Sequence, residues 1–130
     1  MGQYKVKSFD RFARKNEISD TDLAMAGADI HKGKVDAYLG GGVYKQRVAR
    51  KGGGKSGGFR TLITHKTSEH IFFVYGFGKN DRDNIDVKEL KALKLMASEF
   101  GKLSQAQVDE AVASGEFMEV YDEGEEDNEA

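Results

Sequence analysis

Seven basic residues and eight glycines fall between Ala37 and Ser68, a stretch of 32 residues without a single acid. The bases are Lys45, Arg47, Arg50, Lys51, Lys55, Arg60 and Lys66. Phosphate binding asks for positive charge, exposed backbone N–H groups and close approach without side-chain obstruction. Arginine forks supply the first, and glycine permits the other two. Alternation along a predicted strand over 43–49 sets Lys45 and Arg47 on one face and Tyr44, Gln46 and Val48 on the other. A basic stripe beside the Gly-rich loop RKGGGKSGG (50–58) is a nucleic-acid footprint. Tyr44, Phe59, Tyr75 and Phe77 are aromatics near it on which unpaired bases can stack. The alternative is a solvated basic face with a flexible loop, the aromatics belonging to the core.

Other chemistries find little support. GGGKSGG resembles a nucleotide-binding P-loop, but GxxxxGK[ST] requires glycine at the position held by Ala49, and a strand follows instead of a helix. The absence of cysteine excludes disulfides, thiolate metal sites and thiol nucleophiles. His31, His65 and His70 lack metal-ligand spacing and read as surface histidines, with His65 and His70 flanking a turn where they face each other. No nucleophile elbow surrounds Ser56. Neither a metal nor another cofactor is expected. What remains is arginine and lysine chemistry on phosphate. RNA brings its own nucleophile, the 2′-OH, so a protein that aligns it and neutralises the phosphate needs little else.

The charge distribution agrees. The net charge of −2 divides into 20 bases against 12 acids over residues 1–102, leaving +8, and ten acids with no base over 103–130. That is the pattern of a polyanion-binding body joined to an acidic segment. A solvated tail that only aids solubility is the other reading. Residues 122–130, DEGEEDNEA, are expected to be a disordered acidic tail that partly screens the cationic face.

A chain of 130 residues is one domain in length, here 1–121. The N-terminus is polar and basic, Val6 stands where myristoylation wants Ser or Thr, and no apolar run approaches a membrane span. A cytoplasmic protein without membrane contact is expected. Helices are predicted over 8–15, with Phe9 and Phe12 on one face, and over 19–32, capped by Ser19. Strands over 43–49, 59–65 and 70–77, with a turn at 66–69, form an antiparallel meander. Asp86 opens a further helix ending near Gly101, and Ser104 opens another ending at Gly115. FMEVY (117–121) reads as a final edge strand. The fold class is therefore α+β: two N-terminal helices on a small antiparallel sheet, with C-terminal helices after it.

The motifs YKQRVARKGGGKSGGFRTL and FFVYGFGKNDRDNID, within residues 5–121, together resemble the RelE/HigB superfamily of bacterial type II toxin–antitoxin systems. The resemblance implies a microbial-ribonuclease-like α+β fold and a metal-independent, ribosome-dependent endoribonuclease that cuts mRNA in the A site. It implies a cognate antitoxin and contacts to 16S ribosomal RNA. Matched by motif, Lys45, Arg47, Arg60, Lys79, Asn80 and Asp86 surround the scissile phosphate. Arg50, Lys51, Lys55, Tyr75, Phe77 and Arg82 contact RNA. Two positions depart from better-known members: Asn80 replaces an Arg and Asp86 a Tyr. The general base is open among Asp86, His65 and Lys45. The departures motivate an alternative, a catalytically silent RNA- or ribosome-binding protein of the same fold. A third reading is a protein-interaction module with a basic face.

Overall fold

The computed structural model describes residues 2–49, 58–66, 70–78 and 85–121. In chain order these form β1 (Gln3–Val6), α1 (Lys7–Lys15), α2 (Asp20–His31), β2 (Ala37–Gly40), β3 (Val43–Val48) and β4 (Phe59–His65). Then come β5 (Ile71–Gly78), α3 (Val87–Phe100), α4 (Gln105–Ser114) and β6 (Phe117–Glu119). The expected tail at 122–130, most of the 50–58 loop and most of the 66–69 turn lie outside the described residues.

One mixed sheet of six strands runs β2-β3-β4-β5-β1-β6. Its centre is the antiparallel meander β3-β4-β5. The expectation of a purely antiparallel sheet needs correction, because β1 joins β5 in parallel and β6 then pairs antiparallel to β1. β1 was not expected as a strand, since QYKV is short and carries a lysine. That lysine is nonetheless buried. Lys5 Nζ lies 3.0 Å from Asp10 and 2.8 Å from Asp20, and Arg14 reaches Asp10 at 2.9 Å. The other Asp20 oxygen accepts the Tyr121 backbone N–H at 3.0 Å, tying the end of the described chain to the start of α2.

Helices pack on both faces. Phe9 and Ala13 of α1 and Leu23, Ala26 and Ile30 of α2 share a core with Phe59, Ile63, Ile71 and Phe73. Leu93 and Ala97 of α3 and Val108 of α4 share another with Tyr4, Val43, Leu62, Phe72 and Phe77. The caps are local and strong. Ser19 accepts the Asp22 N–H, and both Asp86/Glu89 and Ser104/Gln107 close reciprocal capping boxes. Gly76 is required by a close approach, because a Cβ there would collide with the Phe12 ring.

Tyr4 is 6% exposed, and burial holds its phenol above the ordinary 10.0, against the opposing pull of a hydrogen bond with Gln105. The folded chain therefore keeps a proton that the unfolded chain releases. Stability is complete below about pH 10 and falls as pH rises through the folded value. Denaturant titrations on the two sides of that pH should show the loss, and Tyr4→Phe should make it shallower. An identical alkaline slope in the variant would contradict this.

Candidate nucleic-acid interface

Strand register decides which side chains meet. β3 and β4 set Arg47 opposite Arg60 and Lys45 opposite Leu62. β4 and β5 set Arg60 opposite Phe77 and Leu62 opposite Tyr75. Opposed residues share a face, so two cross-strand rows result: Arg47–Arg60–Phe77 and Lys45–Leu62–Tyr75. Leu62 and Phe77 belong to the core under α3, which puts all three cations on the α3 side of the sheet.

A bulge makes the second row possible. Ile63 pairs with Phe73 but Leu62 pairs with Tyr75, leaving Val74 as the additional residue. Without it, Tyr75 would follow Phe73 onto the α1–α2 face. Bulges of this kind re-aim side chains beside functional sites.

Like charges directly opposite one another destabilise a sheet. The Arg47–Arg60 pair is only lightly compensated. Arg47 meets Asp36 at 3.4 Å, an ion pair with both side chains about a third or more exposed (43% and 32%). Arg60 donates to the Gly58 carbonyl at 3.4 Å. Behind them, Gln46 is buried and fixes the strand. Its Oε1 accepts the Asp36 N–H, and its Nε2 donates to the carbonyls of Ala26 and Lys34. Asp36 in turn accepts the Arg47 N–H at 2.6 Å. Asp36 and Gln46 were not singled out from sequence, although Asp36 is the last acid before the basic segment.

The aromatics divide. Tyr44 and Phe59 pack with the α1–α2 core, on the face away from the cations, so their expected stacking role is corrected. Phe77 shares the cationic face but is 3% exposed, whereas Tyr75 is 37% exposed with its ring 6.0 Å from that of Phe77. Asp86 caps α3, where its carboxylate accepts the Glu89 N–H at 2.8 Å. His65 is not a surface residue. It is buried at the far end of β4, its ring edge-on to His31 at 4.9 Å. His70 instead accepts the Gly2 N–H and packs on Tyr4, so the two rings do not face each other, and His65 is removed from the cationic rows. Arg50, Lys51, Lys55, Lys79, Asn80 and Arg82 lie outside the described residues.

A wider concavity of about 630 Å³ opens between the start of α1 and α3–α4, over Val6, Met96, Phe100, Leu103 and Phe117. Size alone would make it the default site. None of the three row cations lines it, and two arginines opposed across β3 and β4, with one partly exposed ion pair between them and Asp36, are the stronger sign of an anionic ligand.

The described residues thus form a small α+β protein with cationic rows on one face of its sheet. The chain matches the family model described as RelE toxin of the RelE / RelB toxin-antitoxin system over residues 1–120 and belongs to that family. No curated protein and no solved structure matches it. Among the described residues, no helix is long and apolar enough to cross a membrane.

Proposed function

We propose that the chain is a toxin-type mRNA interferase that cuts mRNA on the ribosome and is held in check by a cognate antitoxin. The observation that carries the reading is the Arg47–Arg60 pair, opposed across β3 and β4 in a chain of the RelE toxin family. The two guanidiniums bind the non-bridging oxygens of the scissile phosphate and stabilise the charge that builds on them. The RNA 2′-oxygen gives up its proton and attacks the adjacent phosphorus, the P–O5′ bond breaks, the 5′-oxygen takes a proton and leaves as a hydroxyl, and a 2′,3′-cyclic phosphate remains. Lys45 and Asp86 are the candidate acceptors of the 2′-OH proton. Lys79, Asn80 and Arg82 contribute from the segment after β5, and Arg50, Lys51 and Lys55 meet 16S ribosomal RNA. The chemistry uses the RNA's own nucleophile and needs no metal. Induced expression should arrest growth and translation; harmless expression with intact mRNA would defeat the proposal.

One observation favours a second reading. Asp86 stands where better-known members have a tyrosine and is engaged in capping α3. A silent RNA-binding protein would bind with steep salt dependence and leave the strand uncut.

The acidic tail enters as an internal competitor. Tyr121 is fixed to Asp20, and the nine residues beyond it carry six acids. A tethered polyanion competes at high effective concentration. Ending the chain at Tyr121 should tighten RNA binding at low salt and have little effect at high salt. Equal affinities at low salt would show the tail to be inert.

A further inference from the structure

We infer that Asp36 is the positioning residue of Arg47: its carboxylate holds one nitrogen of the guanidinium from the edge of the sheet and so sets the aim of the Arg47–Arg60 pair at the scissile phosphate. The inference rests on the mRNA-cleavage reading above and adds to it what orients one of the two arginines.

The two Asp36 oxygens do different work. Oδ2 accepts the Arg47 backbone N–H at 2.6 Å, and Oδ1 meets Nη2 of the Arg47 side chain at 3.4 Å. Asp36 is the residue before β2, and β2 runs beside β3 with Ala37 opposite Lys45. Its carboxylate thus takes over where the main-chain ladder stops, and the side chain that fixes the Arg47 backbone also reaches the Arg47 fork. A guanidinium has five N–H donors. Asp36 engages one nitrogen, which leaves the rest of the fork for a phosphate.

Asp36 is itself held from behind. Its N–H donates to Oε1 of Gln46 at 2.6 Å, and Gln46 Nε2 donates to the Ala26 and Lys34 carbonyls at 3.3 and 3.1 Å. The Gln46 carbonyl accepts the Thr61 hydroxyl at 2.9 Å. Gln46 and Thr61 are both buried. Gln46 precedes Arg47, Thr61 follows Arg60, and the two are opposite one another across β3 and β4. One buried polar network therefore fixes both strands beside the paired arginines.

The same carboxylate opposes the phosphate by its charge. An ion pair this exposed is worth about fivefold in affinity or less. A reacting group displaced by about 1 Å can lose about a hundredfold in rate. Aim therefore outweighs charge, and a chain without the carboxylate should bind RNA more tightly yet cut it more slowly. A residue that only supported the fold would move both in the same direction.

The test separates turnover from affinity in the full-length protein. Turnover is read as single-turnover cleavage of ribosome-bound mRNA at saturating protein. Affinity is read with the same mRNA carrying 2′-O-methyl groups, which binds uncut. Asp36→Asn keeps an acceptor for the Arg47 N–H and removes the charge. It should bind about two- to fivefold more tightly at low salt, with the difference fading at high salt, and should cleave about tenfold or more slowly. Asp22 lines a small pocket with Arg47 and makes no ion pair with it among the described residues, so it controls for charge alone. Asp22→Asn should cleave at the wild-type rate. Equal cleavage by Asp36→Asn and wild type, or loss of binding together with cleavage, would overturn the inference while leaving the cleavage reading intact. Wild-type protein that binds the ribosome-bound message without cutting it would overturn the cleavage reading and the positioning role with it.

Discussion

Cells expressing the Arg60→Ala variant are expected to keep growing with intact mRNA, where the wild-type chain arrests them. Arg60 is the middle of the Arg47–Arg60–Phe77 row, so it is the cation with a partner row on either side. Losing one preorganised donor at a developing oxyanion lowers turnover by about a hundredfold to a thousandfold. Arg60→Lys should fall between the two, because an ammonium restores charge but not the planar fork. The variant should not be lost to misfolding. Arg60 is half-buried, and its removal relieves a like-charge pair that opposes the sheet. Thermal stability should therefore hold or rise while activity collapses. A parallel fall in both would mean that Arg60 serves the fold and not the chemistry.

The largest stability effect is expected away from the cationic face, at Lys5. Its ammonium is the shared partner of Asp10 and Asp20, with side chains only 10%, 6% and 25% exposed. Replacing Lys5 with alanine leaves two carboxylates facing each other in a site with little water. Breaking a buried ion pair from one side costs about 3–5 kcal/mol. Against a total of about 5–15 kcal/mol for a domain, that is enough to unfold much of the population when warm. Arg14 still reaches Asp10, which places the expected loss toward the lower end of the range. Asp20 also holds the Tyr121 N–H, so amide exchange at β6 should accelerate before global unfolding. Equilibrium urea unfolding measures the first effect and hydrogen exchange the second. A loss below about 1 kcal/mol would show that the triad behaves as an ordinary surface network.

Much of this was legible in the residues, for reasons that can be stated. The helices announced themselves through caps, since Ser19, Asp86 and Ser104 each accept a backbone N–H in the first turn. The common face of Lys45 and Arg47 followed from period-two alternation, and their register against β4 bears it out. The same alternation sets Tyr44 on the face opposite Lys45 and Arg47, and the structure keeps both Tyr44 and Phe59 on the face away from the cations. Tyr75 was beyond such reasoning. It reaches the cationic face only because Val74 is additional in the β4–β5 ladder, and a bulge leaves no periodic trace. β1 escaped because a buried lysine reads as a solvent-facing one until Asp10 and Asp20 are seen around it. β2 escaped because AYLG is too short to show alternation.

The cationic rows are proposed to cut mRNA during translation. Primer extension on a translated message after induction tests it most directly, comparing wild type with Arg60→Ala and Lys79→Ala. Discrete new 5′ ends within the translated region are expected for the wild type, with their loss in both variants and none when the message is not translated. An unbroken message in wild-type cells, or the same cuts with Arg60→Ala, would contradict it.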